Sequence, residues 1–218
     1  MKGPPVKSIQ PDWNNLIFIV SAPSGAGKTT LCDKLQKEFK DIHYAITATT
    51  RAPRPGEIDG KSYYFMTMPQ FEETLAAGGF IESALVHGNR YGSPKAPAVA
   101  ALEEGCDVLM NVDVQGAAAI RSYIRNAPEG DPLKRTLVDI FVVPPSTEVL
   151  RNRLVARGTD SMETIERRLA QAREEISHWK EYKYMVVNDD LAEAYDHMRA
   201  IILAERHRID NRRQDYHG

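Results

Sequence analysis

Between Ala22 and Thr30 the chain reads Ala22-Pro23-Ser24-Gly25-Ala26-Gly27-Lys28-Thr29-Thr30. Apart from Ala22 in place of a first glycine, the spacing is that of a phosphate-binding loop. The chemistry follows from the backbone. In a glycine-rich turn, consecutive N–H groups point inward and form a concave anion site. A helix that starts directly afterwards adds the positive end of its dipole. Lys28 would reach the β- and γ-phosphates of a nucleotide, and the Thr29 hydroxyl would enter a Mg2+ shell. The plain alternative is an ordinary glycine turn. A strand-like run before it and a helix-like run after it favour the phosphate site.

Four further groups have chemical potential. Val108-Leu-Met-Asn-Val-Asp113 is an apolar strand ending in a carboxylate. Beside a phosphate loop such an acid can hold Mg2+ or its waters, although Asp is also a common helix N-cap. Arg51 and Arg54 lie three apart, with Tyr63 and Tyr91 following. Two guanidinium forks and two phenols suit a phosphate dianion. Glu82 stands in the apolar run Phe80–Val86, where a carboxylate needs a partner; a ligand could supply it, or Arg51 or Arg54 could. On the helical text after Asp160, Glu163 and Arg167 are spaced for a routine surface pair. At helical spacing from Arg168 stand Thr164, Ile165, Gln171 and Ala172, with no carboxylate among them, and the same holds around Arg173. Arginines so placed could act as fingers on a transferring phosphoryl group, or be solvated charge.

These groups need elements to position them. Leu16–Ala22 reads as a buried parallel strand, broken by the glycine loop and followed by helical spacing over Leu31–Phe39. Further strands are expected at Asp107–Val112, Leu137–Val143 and Tyr184–Val187, each followed by helical text, the last helix running from about Leu191 to Arg208. This alternation predicts an α/β fold with a central parallel sheet covered by helices on both faces. Ligands of such sheets collect at the carboxyl ends of the strands. The aromatic stretch 47–93 reads as a small insertion with its own strands, and about 157–173 as a second, helical one. The expected organisation is a loose lead-in over 1–14, one domain over 15–210 with core segments 15–46, 94–156 and 174–210, and a polar tail over 211–218.

Composition sets the bounds. The 218 residues are 42% hydrophobic and 27% charged, with 28 Lys and Arg against 30 Asp and Glu, a formal charge of −2. That is the balance of a globular domain, without the basic excess of a general nucleic-acid binder. Two cysteines, Cys32 and Cys106, make neither a disulfide framework nor a four-ligand zinc site, and both fall in segments that read as buried. The run Leu16–Val20 is far short of the ~20 residues that span a bilayer, and residues 1–13 lack the apolar stretch of a secretory signal. The expectation is a cytoplasmic protein without membrane or nucleic-acid partners, compatible with a monomer or a homo-oligomer.

Taken in order, SAPSGAGKTT, TTRAPRPGEIDGKSYYF, FIESA, GNRYGS, NVDVQG, VVPPS, RGTD, ERRLAQA and VNDDL resemble the guanylate kinase family from about Leu16 to Arg208. The phosphate loop marks only the wider superfamily; the block from Thr49 to Phe65 narrows it. The resemblance implies the fold of P-loop nucleoside monophosphate kinases, with a core, a GMP-binding insertion and a helical lid. It implies transfer of phosphate from ATP to GMP, with Mg2+ accompanying ATP. By it, Arg51, Arg54, Tyr63 and Tyr91 grip the GMP phosphate, and Glu82 accepts the guanine N1–H and 2-amino protons. Thr47, Ser93, Asn111 and Asp113 belong to the same side of the site. Arg157 and Arg168 are lid arginines acting with Lys28 in catalysis, Asn188 contacts adenine, and Thr29 and Asp113 serve the metal. Thr47 stands where the family often has serine, and Asn111 where some members have Asp. Two other readings remain at this stage: a guanylate-kinase-like module that binds phosphopeptides without chemistry, and a kinase for another phosphorylated small molecule on the same core.

Overall fold

The computed structural model describes residues 14–86, 88–156, 158 and 161–211. The first apolar run forms β1 (Ile17–Ser21), every residue of it buried, and the chain turns through the loop into α1 (Lys28–Glu38). A short strand β2 (Ile42–Ala45) follows. The aromatic stretch then folds as β3 (Ala48–Thr49), β4 (Tyr64–Phe65), α2 (Met68–Ala76), β5 (Phe80–Val86) and β6 (Asn89–Pro94). After α3 (Lys95–Glu103) come β7 (Asp107–Asn111), α4 (Val114–Asn126), β8 (Leu137–Val143) and α5 (Thr147–Ala156). The chain closes with α6 (Met162–Ser177), β9 (Tyr184–Val187) and α7 (Leu191–Arg206).

The central sheet has five strands in the order β2-β7-β1-β8-β9, all parallel. β1 lies in the middle and alternates between two cores. Leu16, Phe18 and Val20 pack with Leu31 and Leu35 of α1 and Met198 and Ile202 of α7. Ile17 and Ile19 pack with Leu102 of α3 and Ile120 and Ile124 of α4. Because side chains alternate along a strand, this residue order serves both faces at once. Each such large side chain stabilises the fold by roughly 1.5–3 kcal/mol; Phe18→Ala would cost about 3–5 kcal/mol through the cavity it leaves.

A second, four-stranded sheet has the order β4-β3-β6-β5. Its own small core is Ala48, Phe71 and Phe80, with the two phenyl rings stacked at 4.4 Å. α2 starts on a reciprocal cap: Thr67 accepts from the Gln70 N–H while Gln70 accepts from the Thr67 N–H. α5 and α6 pack on each other through Leu150, Leu154, Ile165, Leu169 and Ala172.

Four details depart from the sequence expectations. β2 was not anticipated: only Ile42 of its four residues is buried, so an edge strand shows no apolar run. α3 was missed as well, its start carrying Lys95 and Pro97. α7 ends at Arg206, two residues early. Cys32 is buried as expected, whereas Cys106 is only half-buried.

Candidate functional site

The phosphate loop is held open by geometry that only glycine satisfies. Gly25 and Gly27 have φ of 95° and 92°, the left-handed region that other residues enter at a cost. Gly27 is also the N-cap of α1. Ala22, Pro23, Ser24, Gly25, Gly27, Lys28, Thr29 and Thr30 line one cavity together with Asp113 and Glu175. Ala26 is buried and contributes its carbonyl elsewhere: Asn188 Nδ2 donates to it at 2.6 Å. A Cβ on Gly27 would lie 2.3 Å from that same Nδ2. Asn188 is 4% exposed, and one N–H of its side-chain amide is used on the loop.

Lys28 Nζ donates to the Val112 carbonyl at 2.5 Å. Burial lowers its pKa, with Cys32, Asp113 and Glu175 opposing that shift. The contact ties the loop to the end of β7. Two residues of chain beyond it, Asp113 caps α4, accepting from the Gly116 N–H at 2.7 Å through Oδ1. The N-cap alternative for Asp113 is therefore realised, and its Oδ2 has no hydrogen bond among the described residues.

A second cavity, of about 220 Å³, is lined by Thr47, Tyr63, Glu82, Ala84, Val86, Tyr91, Asn111, Val112, Asp113 and Gly116. Its carboxylate is aimed by a strand irregularity. β5 and β6 pair Phe80 with Pro94 and then Glu82 with Ser93, a register shift that marks a bulge. Glu82 Oε1 accepts from Ser93 Oγ at 2.7 Å. Burial raises the Glu82 pKa against this bond, and Asp113 raises it further. The alternative in which Arg51 or Arg54 pairs with Glu82 is not realised. Arg51 Nη2 instead meets both oxygens of Glu57 at 2.8 and 2.9 Å, and its guanidinium lies 5.4 Å from the Tyr63 ring. Tyr63 and Tyr91 meet edge to face at 6.2 Å. Arg54 is exposed, its backbone N–H donating to Glu57. Asn111 Nδ2 donates to the Tyr44 hydroxyl at 2.8 Å.

The arginines that the resemblance assigns to a lid are placed less completely. Arg157 lies outside the described residues. Arg168 is half-buried on α6 and is not among the residues lining these two cavities, and Arg173 is exposed. The Glu163–Arg167 pair expected from spacing is not among the ion pairs of the described residues; Arg151 of α5 instead meets Glu166 of α6 at 2.6 Å. A third cavity, between β5, α4 and α6, includes Asp113 and Glu175 in its wall. Asp113 therefore lines three adjoining cavities.

The family model for guanylate kinase matches residues 14–205. The chain belongs to the guanylate kinase family. It is 48% identical over 195 residues to a guanylate kinase of Cereibacter sphaeroides, 89% of each chain. It is 43% identical over 201 residues to one of Caldanaerobacter subterraneus subsp. tengcongensis, covering 92% and 93% of the two chains. The crystal structure of guanylate kinase from Anaplasma phagocytophilum superposes with a TM-score of 0.72 at 32% identity, over 93% of this chain and 92% of that one. The central parallel sheet and flanking helices are thus those of a guanylate kinase fold.

Three residues at the site escaped the sequence reading. Glu57 fixes Arg51, and its position three after Arg54 on a turn was the available signal. Tyr44 lies on the unanticipated strand β2. Glu175 sits in a charged helical text, yet its Oε2 is buried without a hydrogen bond and its pKa is raised, by burial first and by Asp113 next.

Proposed function

We propose that the chain transfers the γ-phosphoryl group of ATP to GMP, giving ADP and GDP. The observation that carries this reading is the sharing of Asp113 by the loop cavity and the cavity of Glu82. A nucleotide triphosphate seated on the loop and a monophosphate seated by Glu82 would meet there. Guanine brings two donors, N1–H and the 2-amino group, to an acceptor-only carboxylate. Adenine has no N1–H and would leave the buried carboxylate without that bond.

The acceptor oxygen of GMP is ionised at neutral pH, so no side chain has to remove a proton. Catalysis reduces to alignment and charge neutralisation. Arg51, held against Glu57 and Tyr63, is preset for the GMP phosphate, with Arg54, Tyr63 and Tyr91 beside it. Lys28 would leave the Val112 carbonyl for the transferring phosphate, and Arg157 and Arg168 would come to the same charge from the lid, which we assign to about 157–173. Segment 47–93 is the GMP-binding part and the remainder of 15–210 the core. Thr47 and Ser93 complete the guanine side.

Thr29 is exposed at the loop cavity, and Asp113 keeps an oxygen unused by its cap. Oxygen donors of this kind suit Mg2+, which retains waters and phosphate oxygens. When bound with ATP, Mg2+ would supply positive charge to the phosphates. Among the described residues no helix is long and apolar enough to cross a membrane. We place the enzyme in the cytoplasm, in purine nucleotide metabolism and GMP recycling, with ATP and GMP as its partners. The test is formation of both ADP and GDP from Mg-ATP and GMP. Loss of both in Lys28→Ala supports the assignment; ADP released without GDP contradicts it.

A further inference from the structure

Asn111 ends β7 in the wall of the cavity that holds Glu82. An amide has a donor end and an acceptor end, and only the acceptor is useful to the 2-amino group of guanine. An Asn free to turn over would offer either end. Here the donor end faces the neighbouring strand: Asn111 Nδ2 donates to Tyr44 Oη at 2.8 Å. The pairing of β2 with β7 sets Tyr44 opposite Leu109. Asn111, two residues on, lies on the same face of the sheet, within reach of a long side chain. Burial pushes the Tyr44 pKa up, and the bond from Asn111 opposes that shift, so the phenol stays neutral. Asn111 Oδ1 accepts no hydrogen bond from the described residues, and Glu82 already has one oxygen engaged by Ser93.

We infer that Tyr44 is a positioning residue for base selection: by holding Asn111 Nδ2 it leaves Oδ1 to accept from the exocyclic 2-amino group of guanine. The Tyr44–Asn111 pair thereby gives a neutral amide the acceptor polarity that a carboxylate has at this position. The inference rests on the guanine reading of the cavity and sharpens it. Hypoxanthine keeps N1–H and O6 but lacks the 2-amino group, so IMP is the probe that isolates this contact.

The experiment compares GMP with IMP in wild type, Tyr44→Phe, Asn111→Leu, and Tyr44→Phe combined with Asn111→Asp. Kinetics and calorimetric binding are both read. In Tyr44→Phe the KM for GMP should rise about tenfold while kcat changes less than about threefold. Parameters for IMP should move less than about twofold, so the GMP:IMP preference falls. Asn111→Asp should restore the preference in the Tyr44→Phe background, because a carboxylate accepts from either oxygen. Asn111→Leu should lose it even where Tyr44→Phe folds poorly. Equal losses for GMP and IMP in Tyr44→Phe, or a preference left intact by Asn111→Leu, would overturn the inference. Wild-type protein that binds GMP over IMP without turning it over would instead count against the proposed reaction, since the binding ratio is read without catalysis.

Discussion

Asn188 and Gly27 are fitted to each other: the amide that reaches past Gly27 to the Ala26 carbonyl, 2.6 Å away, occupies the place where a Cβ on Gly27 would go. β9 thus supports the phosphate loop of β1 through one buried side chain. The loop shape depends on both partners.

Replacement of either should therefore damage ATP binding before GMP binding. Gly27→Ala combines a φ of 92° with a 2.3 Å clash, and should raise the KM for ATP at least about tenfold, with a strain of roughly 1–3 kcal/mol. Asn188→Ala leaves the Ala26 carbonyl unpaired, at about 1–3 kcal/mol of stability. Thermal unfolding, with separate KM values for ATP and GMP, checks both; equal effects on the two substrates would contradict the brace.

Glu57 is expected to act through Arg51. Its pKa is lowered chiefly by the Arg51 bond, and the guanidinium is held on both carboxylate oxygens. Glu57→Ala should raise the KM for GMP several-fold and leave the KM for ATP within about twofold. Titration of each substrate against the variant decides it.

Glu175 gives a pH signature. Its pKa is raised by burial above the ordinary carboxylate value of 4.5, so the folded state binds its proton more tightly than the unfolded chain. Stability from this group is present below the ordinary value and is lost as pH rises through the folded one. Glu175→Gln removes that loss. The variant should unfold at a higher temperature than wild type near pH 7, with the difference shrinking toward pH 4. A difference that grows on acidification would refute the assignment.

Much of this was legible in residue order, and the exceptions have physical causes. β1, β7 and β8 were visible because strands covered on both faces must be apolar throughout. The two edge strands each bury one residue, and β9 was still visible because Tyr184–Val187 is an apolar run, whereas β2 escaped because Ile42–Ala45 carries His43 and no such run. The phosphate loop was visible because its conformation demands glycine at fixed spacing. Glu82 showed itself as a charge in an apolar strand, but its bulge and its bond to Ser93 depend on the pairing of β5 with β6. Glu175 could not be singled out from Glu174 beside it. Both are acids in a polar helix, and only the packing of α6 near the loop decides which one turns inward. The bond from Asn188 to the Ala26 carbonyl was not legible, because it exists only once the end of β9 lies beside the loop.

The most direct test of the account is ADP release from Mg-ATP with GMP, AMP, CMP or UMP in parallel, on wild type and Glu82→Gln. The account predicts turnover with GMP alone in wild type. Glu82→Gln should lose GMP turnover at least about a hundredfold while binding ATP as before. Comparable turnover with AMP, or a Glu82→Gln variant as active on GMP as wild type, would contradict it.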